Sequence, residues 1–407
     1  MESSAPLMDQ RQRVDWARSI RDPEAFASEQ AALGQVWTLL GLTTDIPNDN
    51  DWIRCSLGGG SVFVQRFGNT IKGFENVCRH RFHPIRTAAK GSGLVRCAFH
   101  HWVYNQEGEA VGIPQCKKLF GTSPKELGAR LRNVEIACCG LLIFGRFPRQ
   151  ATKTEDATSG EGSSSRCTTA APSDTHQDQS LEEFLGDAWP ILRAMCREGI
   201  RPGFITSDVN ANWKLLYDIT VDDYHAFAVH PTSLGRDGCL DPEKAYCPRF
   251  GPHSGFFFDG QSGDFSAMAQ DCQANSYQPG AYRALNIFPS FLVFHYQVLH
   301  TWYVSITQLS PAALNRTIAK TWYYQAPFKR PGTSWLNLLF QRFIELWLPF
   351  FVGVFLRRIT NEDYLICEAM QDAAGSMMKE PILGLEEQRI AWFREAYWDA
   401  LARSNQE

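Results

Sequence analysis

Cys78-Arg79-His80 and, after sixteen intervening residues, Cys97-Ala98-Phe99-His100 form the pair of stretches whose reading decides the fold. Each offers one thiol and one imidazole. A [2Fe–2S] cluster that takes two thiolates on one iron and two imidazoles on the other needs two loops of this kind, each delivering one ligand of each type. Structural zinc is the competing reading, but its usual spacing sets a Cys pair ahead of a His pair. Here the types are interleaved. Chance is the second alternative in a chain of 407 residues with 12 Cys and 10 His. Against it, both stretches lie in Gly-bounded loops flanked by strand-like runs. The expected ligand set is Cys78, His80, Cys97 and His100, holding one [2Fe–2S] cluster.

Outward from these loops, Trp52 to Phe147 consists of short β-rich runs such as SVFVQRF, TIKGFENV and GLLIFGRF, separated by Gly and Asn turns. This is the cluster domain, residues 46–149. Gly58-Gly59-Gly60 reads as a hairpin turn, because neither a helix start nor the Lys-Ser/Thr of a phosphate loop follows it. Residues 1–45 read as an N-terminal helical segment packing with the later domain, with Trp16, Ile20, Phe26 and Leu33 at helical spacing and WTLLGLTTDIP closing it. Residues 150–180 are rich in Ser, Thr, Gly and Asp and nearly free of large apolar side chains. They read as a disordered linker or surface insertion. Residues 181–407 mix helical periodicity with strand-like stretches such as RALNIF and RTIAKTWYY. The expected class is α+β: an all-β cluster domain followed by a catalytic domain of antiparallel sheet covered by helices.

Composition excludes several functions. A net charge of −4 without clustered Lys or Arg offers no stripe for nucleic acid. The polar N-terminus has no apolar stretch of a secretory signal, and irregular Cys spacing argues for free thiols in a reducing compartment; a cytoplasmic location is expected. Cys138 and Cys139, adjacent in an apolar run, are expected to be buried. Residues 336–356, LNLLFQRFIELWLPFFVGVFL, are apolar, but Arg342 and Glu345 interrupt them, and the clean run from Leu346 to Leu356 is too short to span a bilayer. No membrane span is expected. A buried or pocket-lining helix is expected there, with peripheral membrane contact as the alternative.

A second metal site is suggested by Asp222-x-x-His225-x4-His230. Residues three apart share a helix face, which would let Asp222 orient His225. Two His and one carboxylate leave open positions on iron(II), the facial arrangement of non-haem oxygenases. The third ligand is expected from Asp363 in ITNEDYLICEAMQ, with Glu362 as its nearest rival. An isolated His pair is ordinarily a polar or core feature, and only context reverses that reading. His176, His253, His295 and His300 are not taken as ligands, since His176 lies in the linker and His295 and His300 in an aromatic strand segment.

That context is a family resemblance. CRHRFHPI and CAFHHWVYNQEGEAVGIP resemble the Rieske domain of ring-hydroxylating oxygenase large subunits, which commonly read CxHRG and CPxHGW before a Gly-containing hairpin. Phe82 and His101 depart from it where Gly is usual. NWK followed by D-x-x-H-x4-H resembles the family's iron-binding element, and Glu362-Asp363 with Glu368 and Gln371 resembles its EDxxxxExxQ element. Asp218 departs where relatives often have Asn. The resemblance implies a Rieske cluster and one mononuclear Fe(II) per chain, the latter on His225, His230 and Asp363. It implies that Asp222 links His225 to His100 of the next subunit in a homotrimer, with a beta subunit as an added option.

Electrons would come from a ferredoxin or flavin reductase drawing on NAD(P)H, since the chain carries no G-x-G-x-x-G fingerprint of its own. Dioxygen would be used on an aromatic or other apolar small molecule, by dihydroxylation or by monooxygenation or demethylation. The aromatic stretches FFF at 256–258 and FLVFHYQVLHTWY suit such a substrate and suit a core equally. The alternative from another class is a Rieske electron-transfer or redox-sensing protein whose large domain only binds a partner. The Asp/His/His and Glu-Asp elements argue against it.

Overall fold

Alternation of apolar and polar residues builds the first sheet. The computed structural model describes residues 10–148, 179–197, 200–231, 233, 245–258, 264–278, 282–298, 301–326, 335–376 and 381–404; the expected linker lies outside them apart from Gln179 and Ser180. After α1 (Gln10–Arg21) and α2 (Pro23–Leu33) come β1 (Thr38–Leu42), β2 (Asp51–Leu57), β3 (Gly60–Phe67), β4 (Thr70–Glu75), β5 (Lys90–Ser92), β6 (Val95–Arg96), β7 (Val103–Tyr104) and β8 (Ala110–Gly112). The single-turn helices α3 (Cys116–Phe120) and α4 (Pro124–Leu127) lead to β9 (Asn133–Cys139) and β10 (Leu142–Arg146). One antiparallel sheet runs β1-β10-β9-β4-β3-β2-β5, and a small one runs β6-β7-β8. Gly58 and Gly59 close the β2–β3 hairpin with φ of 59° and 71°, the left-handed values that a two-residue turn between twisted strands requires.

One expectation changes at the start of this domain. The run from Thr38 to Leu42, expected to close the N-terminal helical segment, is β1, with Thr38 opposite Gly145 on β10. Four of its five residues are buried. A short continuous apolar run fits a strand covered on both faces as well as it fits a helix end, and sheet pairing decides. On β9, Cys139 is buried but Cys138 is exposed, against expectation, because successive strand residues point to opposite faces.

The second domain contains α5 (Leu181–Leu185), α6 (Ala188–Met195), β11 (Gly203–Val209), α7 (Trp213–Thr220), α8 (Ala226–Val229), β12 (Ala245–Tyr246), β13 (Arg249–Phe250), β14 (His253–Phe258) and α9 (Asp264–Gln273). Then follow β15 (Arg283–Ile287), β16 (Phe291–Val298), β17 (Thr301–Ala313), β18 (Arg316–Gln325), α10 (Trp335–Ala373) and α11 (Gln388–Ser404). Its antiparallel sheet runs β11-β18-β17-β16-β15-β14-β12, with β13 beside β14. One face of this sheet, through Phe291, Val293, Val304 and Ile306, shares a core with Leu39, Leu142 and Phe144 of the first domain. The alternate residues turn toward the helices.

Those helices are tied together by a buried charge. Glu29 of α2 is fully buried. It accepts hydrogen bonds from Trp213 Nε1 at 2.7 Å, Tyr397 Oη at 2.7 Å, Gln30 Nε2 at 3.1 Å and Lys214 Nζ. Four donors satisfy one carboxylate, which is what makes its burial tolerable. Asp218 pairs with Arg394 at 2.8 Å and Asp223 pairs with Arg389, fastening the α7 segment to α11. Asp218, the residue that departs from the family pattern, thus has a structural partner.

The apolar stretch 336–356 forms part of α10. Leu348 and Val352 are buried and Phe355 and Leu356 line a cavity, but Trp347, Phe350, Phe351 and Val354 are more than half exposed, so the expectation of a buried or pocket-lining helix holds for one face only. An apolar run does not say which of its faces will be covered. No described helix is long and apolar enough to cross a membrane.

Removing one partner of the Glu29 pair strands a buried charge, which costs about 3–5 kcal/mol. Lys214→Met is therefore expected to lower the thermal unfolding midpoint sharply. The double variant Glu29→Gln/Lys214→Met should recover most of the loss, and calorimetry reads both.

Candidate metal centres

The two cluster loops have the same backbone. Cys78 N–H donates to the His83 carbonyl at 2.9 Å and Phe82 N–H to the Cys78 carbonyl at 3.0 Å; Cys97 N–H donates to the Trp102 carbonyl at 2.9 Å and His101 N–H to the Cys97 carbonyl at 3.0 Å. Phe82 and His101 hold equivalent places, with φ of 57° and 56°. Glycine adopts this left-handed conformation freely and other residues do so at a cost of about 1 kcal/mol or more, which explains why the family pattern has Gly there. The departures leave the loop shape intact.

Cys78 and Cys97 are buried at 2% and 1% exposure, while His100 lies at the surface and His80 between the two extremes. The two imidazole Nδ1 atoms are 3.1 Å apart. Two buried thiols beside each other and two outward imidazoles with their Nδ1 atoms together fit a cluster with thiolates on its inner iron and imidazoles on its outer one. His80 is stacked on Trp102, with ring centroids 5.1 Å apart and planes within 2°. Desolvation and the neighbouring His80, Arg81 and His83 hold His100 below its ordinary pKa, favouring the neutral ligand form. Tyr104, which sequence reasoning missed, accepts from Arg79 N–H at 3.1 Å and is left to donate to Cys78 Sγ, also at 3.1 Å.

The second centre is assembled from two distant segments. Asn212 caps α7 by accepting from Lys214 N–H, and the helix ends at Thr220. Asp222 and His225 therefore do not share a helix face as expected: the Asp222 carboxylate accepts Tyr224 N–H at 2.7 Å, a local turn that competes with helix continuation. The pairing survives, with Asp222 Oδ2 3.5 Å from His225 Nδ1. α10 brings up Asp363, whose Oδ1 is 3.0 Å from His230 Nε2 and 3.4 Å from His225 Nε2. Donor atoms of His225, His230 and Asp363 all lie within 4.8 Å of one another. Asp363 Oδ1 is buried yet has no hydrogen-bond partner, so the three groups converge on a common point rather than pairing. That donor set fits a hard or borderline metal such as iron(II) with open positions.

Glu362 is not the third donor. Its carboxylate holds His230 Nδ1 at 2.8 Å and accepts from Ser233, so each imidazole has its own carboxylate behind it, the arrangement that fixes ring orientation. Burial works against protonation of His225, but the Asp222 and Asp363 carboxylates outweigh it and push its pKa up to about 10. His230 is raised too, by Asp363 and Glu362 against burial. Both shifts show a site with negative charge to share with a cation. Farther along α10, Glu368 accepts from Asn210 N–H at 2.9 Å and Gln371 from Asn212 N–H at 2.8 Å. The EDxxxxExxQ element thus locks α10 to the start of α7.

A cavity of about 360 Å³ opens on His225, His230 and Asp363, walled by residues that include Phe294, Val298, Leu309, Phe355 and Leu356. A larger cavity, about 690 Å³ between the domains, contains none of the site residues. His253 donates from Nε2 to the Phe184 carbonyl and accepts Phe288 N–H, and burial pulls its pKa down to about 4. It is a structural residue. His295 is buried beside Trp302, away from the triad; His176 and His300 lie outside the described residues.

Fold and donor sets define a two-domain metalloprotein, in which a cluster domain offering two thiols and two imidazoles precedes a domain built around two histidines and a carboxylate. The family model "Rieske [2Fe-2S] domain" matches residues 36–132, and "Ring hydroxylating alpha subunit (catalytic domain)" matches residues 201–403. The chain belongs to the Rieske non-haem iron oxygenase family of ring-hydroxylating large subunits. It is 27% identical over 271 residues to the large oxygenase component of a naphthalene 1,2-dioxygenase system from Pseudomonas aeruginosa, covering 60% of this chain and 54% of that one. It is 25% identical over 218 residues to the glycine betaine monooxygenase oxygenase subunit of Chromohalobacter salexigens, covering 52% and 42%. The chain thus spans about half the length of the curated relatives it matches. Among solved structures, naphthalene 1,2-dioxygenase from Rhodococcus sp. bound to indole has a TM-score of 0.65 at 20% identity, over 95% of this chain and 94% of that one. A quaternary ammonium Rieske monooxygenase has a TM-score of 0.63 at 15% identity, over 94% and 93%.

Two predictions concern the cluster loops. Tyr104→Phe removes a hydrogen bond to a cluster sulfur, so the midpoint potential should fall by on the order of tens of millivolts; redox titration followed by EPR reads it. Phe82→Gly and His101→Gly should each keep the cluster's EPR signal and raise loop stability by up to about 1 kcal/mol. Cluster loss on either change would show that the side chain, not the backbone, shapes the loop.

Proposed function

We propose that this chain is the terminal oxygenase component of a Rieske system, using dioxygen to oxygenate an aromatic or other apolar small molecule. One observation carries the reading: His225, His230 and Asp363 converge at the mouth of an apolar cavity large enough for a small ligand. When bound, the cluster supplies one-electron storage and the mononuclear iron(II) supplies reductive activation of dioxygen. The chain's own residues do the rest. The cluster-bearing domain runs from β1 through β10, and residues 181–407 bind substrate. Cys78, Cys97, His80 and His100 hold the cluster, and His225, His230 and Asp363 hold the iron. Asp222 and Glu362 orient the imidazoles, and the apolar walls keep bulk water from the reacting centre.

Of the two imidazoles that would hold the cluster, His100 is the more exposed, which suits it as the exit point for an electron. Asp222 would take that electron across a subunit boundary, linking His225 to His100 of a neighbour in a homotrimer. A second hollow of about 390 Å³ also reaches Asp222 and His225, giving such a neighbour room to approach. Electrons would enter from a ferredoxin or flavin reductase in the cytoplasm, where free thiols persist. The relatives named above include a dioxygenase and a monooxygenase, and counting labelled oxygen atoms in the product separates the two outcomes.

The roles part under substitution. Asp222→Ala should abolish turnover while the cluster's visible and EPR spectra stay unchanged. Asp363→Ala should lose the mononuclear iron and keep the cluster pair, which metal analysis reads directly. Turnover retained by Asp222→Ala removes the bridge, and iron content unchanged in Asp363→Ala removes the triad.

A further inference from the structure

The walls of the cavity beside the triad restrict what it can hold. None of its described lining residues is Lys or Arg, and Asp222, Asp223 and Asp363 line it as well. A carboxylate group lying along the walls away from the triad would be buried there without a Lys or Arg to pair it, at a large cost. The polar groups farther along the sheet are unequal. Thr307 and Thr321 hydroxyls satisfy each other at 3.0 Å. The Tyr296 hydroxyl, on the same face of the sheet, is buried, and Ser305 approaches it too loosely to close a well-formed hydrogen bond. Its ring is held against Tyr303, centroids 6.2 Å apart and planes within 22°. Burial raises its pKa, so the phenol remains a donor.

An unmet buried donor is costly unless something supplies an acceptor. The strand register puts Tyr296 two residues from Phe294 and two from Val298, so the donor is set among apolar walls. We propose that this cavity, taken as the substrate site of the oxygenase described above, binds a neutral, largely apolar molecule carrying one carbonyl or ether oxygen that accepts from Tyr296. The acceptor fixes how the molecule lies on β16 and hence which carbon faces the triad. Tyr296 is a specificity-determining residue and takes no part in the oxygen chemistry.

The test is calorimetric binding of 1-tetralone, tetralin and 1-naphthoate to the oxidised, iron-loaded holoprotein, which needs no turnover. The native protein should bind the ketone about five- to tenfold more tightly than the hydrocarbon of like shape, and the naphthoate more weakly than either. Tyr296→Phe should bind ketone and hydrocarbon alike, while Ser305→Ala keeps the preference. A ketone preference surviving in Tyr296→Phe, tightest binding by the naphthoate, or no binding of any of the three overturns the proposal. Tetralin incubated with a reductase and labelled oxygen reports separately on the oxygenase reading: labelled product without a ketone preference refutes only the Tyr296 assignment. A ketone preference without labelled product from any of the three refutes only the oxygenase reading.

Discussion

The buried carboxylate of Glu29 is the constraint on which the catalytic domain depends. A charge removed from water must be matched by donors at fixed positions, and Glu29 draws them from Trp213 and Lys214 on α7 and from Tyr397 on α11. This fixes α7 against two helices from opposite ends of the chain. Because α7 leads directly into Asp222, His225 and His230, the pairing sets where these residues emerge. Glu368 and Gln371, hydrogen-bonded to Asn210 and Asn212, then set α10 against the same helix start. Asp363 thereby reaches two histidines that lie well over a hundred residues earlier in the sequence.

The cluster domain solves a different problem, that of offering soft ligands from within and basic ones from the edge. Burial of the two cysteines protects them, and tight turns lift the histidines outward. The turns demand a left-handed residue directly beyond the last liganding position of one loop and two beyond that of the other. Phe82 and His101 occupy these places, so the repeated hydrogen bonds of the loops outweigh the conformational cost.

Much of this is legible in the sequence because ligand chemistry is local. Two Cys/His loops with interleaved types point to a mixed-ligand cluster, and a glycine pair between alternating runs points to a hairpin. Partners created by tertiary contact are what the sequence does not supply. Tyr104 behind Cys78, Glu362 behind His230 and Glu29 behind Lys214 show no spacing signal, since each meets its partner through packing. Thr38–Leu42 reads as the end of a helical segment because an apolar run of five residues carries no decisive period. The expected shared helix face of Asp222 and His225 fails for the opposite reason: the Asp222 side chain captures a nearby backbone N–H and ends the helix geometry that the spacing assumes.

Charge distribution explains why the two imidazoles, and not some other pair, form the metal-facing end of the cavity. Carboxylates crowd this part of the domain, and two are answered by α11, Asp218 by Arg394 and Asp223 by Arg389. Asp222, Glu362 and Asp363 are left to act on His225 and His230, and they raise both imidazoles despite burial. A divalent cation meets the same demand with both imidazoles neutral, and coordination replaces protonation as the way to balance the charge. The arginines are therefore as much a part of the metal site as its ligands. By pairing with Asp218 and Asp223, they leave Asp222, Glu362 and Asp363 to act on the two imidazoles, and no Lys or Arg is among the described residues that line the adjoining cavity.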